Sequence, residues 1–146
     1  MKIWINKETG IRAETGFFKK LFRLIGRQFP RYSGAEISVA LVSARTIKKL
    51  NKKYRHKNKV TDVLSFAERE SKYKIAPRQY LGEIVISMPQ AREQAREHKH
   101  ALRRELVILL VHSFLHLVGF DHATDKQEKI MDKEARKVML IYEKNL

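Results

Sequence analysis

The stretch from Leu102 to Val118 is the most apolar in this chain, and it reads as one helix that Gly119 stops in a left-handed turn. Its longest uninterrupted apolar run, Leu106 to Val111, is six residues, far below the ~18 that a membrane span needs. A helix of this kind belongs in a globular core. Lys2 to Ile5 reads as a short strand. Apolar residues at Phe18, Leu21, Phe22, Ile25 and Phe29 predict a helix from about Thr15 to Phe29, ended by Pro30. Ile37, Val39 and Leu41 alternate as in a strand. Ser43 is placed to cap a helix running to about Tyr54, with Ile47 and Leu50 inward. Val60–Phe66 and Leu81–Ser87 are strand candidates around a polar loop over 67–80. Ser87 and Pro89 open a helix that ends near Lys99, and Asp125 can cap a last helix with Met131, Ala135, Val138 and Ile141 or Tyr142 inward. Strands and helices interleave around one core, which predicts a single α+β domain over residues 1–146, with strand order left open.

Composition excludes several classes. A hydrophobic fraction of 43% is too high for a disordered tail, and the chain has no cysteine. A disulfide scaffold, a cysteine nucleophile and a thiolate zinc site are therefore excluded. Met1 to Asn6 holds too short an apolar run for a signal peptide. The expectation is a soluble, cytoplasmic protein with no membrane partner.

The formal net charge is +15, from 31 Lys and Arg against 16 Asp and Glu, and it is unevenly placed. Residues 1–60 carry 16 bases and three acids, and no acid interrupts the chain between Glu36 and Asp62. The densest stretch is Lys48, Lys49, Lys52, Lys53, Arg55, Lys57 and Lys59. Such a one-sided field draws in polyanions, and nucleic acid is the matching partner. A merely solvated basic face is the alternative.

The chemistry concentrates in residues 112–122. His112 and His116 stand at i and i+4 and share a helix face. Gly119 ends the helix and lets the chain fold back, so that His122 can meet the same ion. Three neutral imidazoles leave a fourth position for water, the layout of a catalytic rather than a structural zinc site. Three unrelated histidines would be the plain alternative. Metalloproteases with the pattern His-Glu-x-x-His-x-x-Gly-x-x-His share this spacing. Here position 113 is Ser, and serine cannot replace the glutamate base that peptide hydrolysis needs. A substrate other than peptide follows.

These residues also match a known family. Asn51 to Arg55, Thr61 to Phe66, Leu81 to Ser87, the histidine motif, and Met131 with Glu134 occur in the order seen in the bacterial YbeY proteins. The chain resembles that family of metal-dependent endoribonucleases of ribosomal RNA maturation over roughly residues 51–134. The resemblance implies an α+β fold with a central mixed four-stranded sheet, packed helices and a helix-loop metal site. It implies one zinc ion at His112, His116 and His122 and an arginine needed for activity at Arg55; the sequence itself leaves the native metal open between zinc and a neighbour such as nickel. The resemblance also implies partners on the small ribosomal subunit and among assembly factors. Position 113, usually Gly in the family, is Ser; position 83, usually Asp, is Glu, whose longer reach leaves its role open.

The expected activity is cleavage of single-stranded or structured RNA in maturing the 3′ end of small-subunit rRNA and in ribosome quality control. Arg55 would neutralise charge developing on phosphorus, and the segment Lys48 to Lys59 would draw in the backbone. Asp121 either orients a ligand imidazole or forms a plain turn. Thr61, Asp62 and Ser65 line the cleft or bond at a strand end. Glu105 supports the metal or faces the helix dipole. His98 and His100 read as helix-junction residues, and Trp4 and Phe66 as buried, with stacking on bases as the alternative. Two rival readings are a non-catalytic, zinc-stabilised ribosome-assembly factor and a metal hydrolase of peptides or small molecules.

Overall fold

The computed structural model describes residues 1–71 and 79–145. Strands β1 (Lys2–Lys7), β2 (Glu36–Val42), β3 (Val63–Ala67) and β4 (Tyr80–Ser87) form one sheet in the order β1-β2-β4-β3. The first two pairings are parallel and β3 runs antiparallel to β4, so the sheet is mixed. Among the described residues five α-helices cover it: α1 (Thr15–Gln28), α2 (Ala44–Arg55), α3 (Met88–Glu97), α4 (Leu102–Leu117) and α5 (Asp125–Lys144). This is the single α+β domain that the interleaved pattern predicts. Among the described residues no helix is long and apolar enough to cross a membrane.

Strand alternation divides the interior in two. Ile37, Val39, Leu41, Ile84 and Ile86 face one side, where α1, α3, α4 and α5 pack with Phe22, Met88, Leu110, Phe114 and Val138. Val42, Leu64 and Val85 face the other side, under Ile47 of α2. Phe114 is fully buried, with ring centroids 5.4 Å from Phe29 and 5.9 Å from Tyr32. Burying each such large apolar side chain contributes about 1.5–3 kcal/mol. Helix α4 thus lies in the main core, as its composition requires.

Helix α2 is set with unusual care. The Ser43 hydroxyl accepts from the Thr46 backbone N–H at 3.2 Å, forming the expected cap. The Glu8 carboxylate, just past β1, accepts from the Ser43 N–H at 2.8 Å and the Thr46 hydroxyl at 2.7 Å. These bonds hold the Glu8 carboxyl below its ordinary range. At the other end the chain enters a left-handed turn at His56 (φ 60°), and buried Asn51 donates from Nδ2 to the Lys59 carbonyl at 3.0 Å. That bond pins the loop carrying Lys57 and Lys59.

Several boundaries differ from expectation. β3 begins at Val63 rather than Val60, because Val60 is solvent-exposed and the Asp62 carboxylate takes the Val63 N–H at 2.8 Å. Within the expected loop over 67–80, Glu68–Glu70 forms a 3-10 turn and Tyr80 already belongs to β4; residues 72–78 lie outside the described residues. The last helix is capped by Thr124, not Asp125. Thr124 and Gln127 make a reciprocal capping box, which satisfies two backbone N–H groups at once. Trp4 is half-exposed under the Lys2 ammonium (4.1 Å), not buried, because it lies on the outer face of edge strand β1.

Candidate metal and RNA site

The site is built where α4 ends. The N–H of Gly119 bonds the His116 carbonyl at 3.1 Å and that of Phe120 the Leu115 carbonyl at 2.9 Å. Gly119 itself has φ 107°, a conformation that costs an L-residue backbone strain. The reversal brings the His122 ring to 4.9 Å from the His116 ring, nearly edge-on. The Asp121 carboxylate accepts the His122 N–H at 2.7 Å and so holds the returning loop. Donor atoms of His116, Asp121 and His122 all lie within 4.8 Å of one another.

His112 lines the same cavity, of about 550 Å³, one turn back along α4. Its Nδ1 is 2.9 Å from the Ile108 carbonyl. A carbonyl only accepts, so Nδ1 carries the proton and Nε2 keeps its lone pair. That Nε2 lies 3.9 Å from the Asp132 carboxylate on α5. His112 stands outside the tight group formed by the other two histidines and Asp121.

Burial lowers the His116 pKa, and neighbouring His122 lowers it further, against a backbone hydrogen bond at Phe120 and the charge of Asp121. His116 is thereby kept neutral near pH 7, the form a metal ligand requires. The donor set is nitrogen-rich, joined by carboxylates and free of sulfur. The hydrogen bond from His112 Nδ1 to Ile108 directs the Nε2 lone pair of that ring outward. Such a set fits a borderline cation such as zinc or nickel.

The opposite wall is β3 and its approach. Val63, Leu64 and Ser65 line the cavity with Asp62, whose other carboxylate oxygen accepts from Gln94 at 3.2 Å. Asp62 therefore serves strand-end bonding and cavity lining together, while Thr61 bonds Asp62 from outside the lining. Arg55 reaches the cavity from the end of α2. Its guanidinium donates to the Ser65 carbonyl at 2.6 Å and sits 5.0 Å over the half-buried Phe66 ring. Lys48, Lys49, Lys52, Lys53, Lys57 and Lys59 are exposed and lie outside the cavity lining, on α2 and the loop after it.

Three placements escaped the sequence reading. Arg69 lines the cavity and donates to the His116 carbonyl at 3.3 Å, although its polar surroundings carry no signal in sequence. Glu105 stands in the first turn of α4, as the helix-start reading has it, and lies outside the cavity lining; what escaped is that it is buried and bonded to His98 and His100. Glu83 lies outside the cavity lining, and burial raises its carboxyl pKa.

Comparison with known proteins places this geometry. The family model described as Endoribonuclease YbeY matches residues 5–143. The chain belongs to the Endoribonuclease YbeY family. YbeY relatives include the protein of that name from Bacillus licheniformis, 40% identical over 94% of this chain and 92% of the relative. Another, from Geobacillus kaustophilus, is 47% identical over 67% of each chain. The YbeY fold described above also resembles the solution structure of TM1509 from Thermotoga maritima, with a TM-score of 0.65 and 26% identity. That match covers 98% of this chain and 93% of the other.

Proposed function

We propose that this chain is a zinc-dependent endoribonuclease that prefers single-stranded RNA. It acts in the cytoplasm, matures the 3′ end of small-subunit rRNA and serves ribosome quality control with small-subunit and assembly partners. One observation carries the reading: Arg55 and the three histidines line a single cavity in a chain of net charge +15.

His112, His116 and His122 would hold one metal ion, zinc or alternatively nickel. A zinc ion bound there would supply Lewis-acid polarisation of the scissile phosphate. The chain's own residues do the rest. Arg55 is held by Ser65 and Phe66 before substrate arrives, so its remaining N–H groups meet a phosphate with little rearrangement. Arg69 offers a second guanidinium on the same wall. The exposed lysines of α2 and its following loop guide the backbone toward Arg55. Buried Ser113 stands where metalloproteases that share this histidine spacing carry their base, which favours phosphodiesters over peptides.

The test is a paired cleavage assay on zinc-loaded protein. One substrate is an RNA spanning the 3′ end of small-subunit precursor rRNA, and the other is an unstructured peptide. Discrete RNA cuts, lost with chelator and in Arg55→Ala, with peptide intact, are the expected result. Tight binding without cuts would leave a non-catalytic assembly factor, and cut peptide would overturn the substrate class. A 5′-phosphate product identifies water as the nucleophile, and a cyclic phosphate identifies the RNA 2′-OH.

A further inference from the structure

A second cluster of metal-ligating side chains stands at the junction of α3 and α4. Glu105 is 3% exposed. Burial alone would raise its pKa, but hydrogen bonds from His98 and His100 outweigh that and leave it lowered. Both imidazoles converge on one oxygen: His98 Nδ1 lies 3.0 Å and His100 Nε2 2.5 Å from Oε2. The two rings are 5.4 Å apart, and the donor atoms of all three residues lie within 4.8 Å of one another.

The backbone is shaped for this convergence. α3 closes with His98 N–H on Gln94, Lys99 N–H on Arg96 and His100 N–H on Ala95. Between the histidines, Lys99 occupies the left-handed region at φ 55°, where glycine is the easier residue. That turn sends both flanking rings toward Glu105. None of the three residues lines the cavity described above. Glu105 precedes His112 by seven residues of α4, about 10 Å along the helix at 1.5 Å per residue.

We propose that His98, His100 and Glu105 form a second divalent transition-metal site of the zinc class, which pins the end of α3 to the start of α4. Two imidazoles and one carboxylate are a common zinc donor set. The ring protons now facing Oε2 move to His98 Nε2 and His100 Nδ1, so that the opposite nitrogens turn lone pairs to the ion. A dication balances a buried carboxylate more fully than two imidazole N–H hydrogen bonds do. The His98 side chain is 56% exposed, which leaves an entry path and room for water as a further ligand. The role is structural, and it does not depend on the endoribonuclease reading.

The experiment uses the full chain as wild type, His98→Ala, His116→Ala and the double variant. Bound zinc per chain is measured by elemental analysis after equilibrium dialysis, and melting temperature is read with and without zinc. His98 is chosen because its exposed ring can be removed without opening the core. The wild type should bind two ions, each single variant one, and the double variant none. Zinc should raise the melting temperature of His116→Ala but not of the double variant. Equal zinc content in wild type and His98→Ala, with no zinc-induced shift in His116→Ala, would overturn the proposal. One ion retained in His116→Ala and lost in His98→Ala would support this site and count against the histidine set at the end of α4.

Discussion

The guanidinium of Arg55 donates to the carbonyl of Ser65 at 2.6 Å, linking the last residue of α2 to the wall that faces the histidines of α4. The contact fixes a planar cation beside the site before any phosphate enters. Pre-organised charge of this kind is worth more than a mobile one, because no reorganisation is needed as charge develops.

Arg55→Ala should lower the RNA cleavage rate about 100- to 1,000-fold while leaving zinc content and melting temperature near wild type. Arg55→Lys should not restore the rate, since an ammonium cannot hold Ser65 and meet a phosphate with one planar fork. Single-turnover cleavage on a labelled RNA checks both. Wild-type cleavage by Arg55→Ala would remove Arg55 from the chemistry.

His116→Ala should lose the cavity's metal ion and RNA cleavage together. His116 is the half-buried member of the set, its pKa lowered by that burial, and it stands beside His122 and Asp121. Parallel metal analysis and gel assays measure the two losses. Full cleavage by protein free of zinc would take metal catalysis out of the account.

RNA affinity should fall steeply with salt. For single-stranded RNA the logarithm of the binding constant falls by about 0.7 per phosphate contacted, per decade of salt. Replacing Lys52 and Lys53 by alanine should reduce that slope without altering where the RNA is cut. Filter binding over a range of potassium chloride reads it; an unchanged slope would show that α2 does not touch the backbone.

Gly82→Ala should destabilise the fold by several kcal/mol, at the upper end of single substitutions. Gly82 has φ 138°, and an added Cβ would stand 2.2 Å from the Phe66 carbonyl oxygen. The clash forces β4 away from β3, the strand that walls the cavity. Urea unfolding measures the loss. A shift below 1 kcal/mol, the ordinary effect of a mild substitution, would mean that the β3–β4 contact yields without cost.

Acid should weaken the anchor of α2. The Glu8 carboxyl is lowered by its bonds to Ser43 and Thr46 from an ordinary value of 4.5. A carboxylate lowered in the folded state stabilises above its unfolded pKa, and that contribution fades as pH falls through the folded value. Glu8→Gln should therefore be less stable than wild type at neutral pH, with the difference shrinking as pH falls below about 4.5. Denaturant midpoints from pH 7 down to pH 3 give the comparison.

Sequence pattern reached far where the physics is local. The apolar spacing of α1, the Ser43 cap of α2, the alternation of β2 and the stop at Gly119 each depend on neighbours within a few residues, and all are present. The i, i+4 pair His112 and His116 followed from helical geometry alone. The Thr124 cap was missed because Asp125 is an equally good capping residue, and only the reciprocal bond with Gln127 chooses between them.

What lay beyond the sequence is what depends on distant residues meeting. By composition Arg55 reads as one cation among many, and only the family resemblance marks it; its hold on the Ser65 carbonyl depends on β3 lying at the edge of the sheet. Arg69 has no spacing that marks it, and it enters the site only because the 3-10 turn after β3 passes the end of α4. Glu105 reads as a helix-start charge until α3 and α4 pack and carry two histidines onto it. The sequence by itself determined the elements, the basic half and the histidine spacing, because periodicity, charge and turn chemistry act over short chain distances. Tertiary structure alone decided which of the many charges share a cavity, since that depends on the order of strands and the packing of helices far apart in the chain.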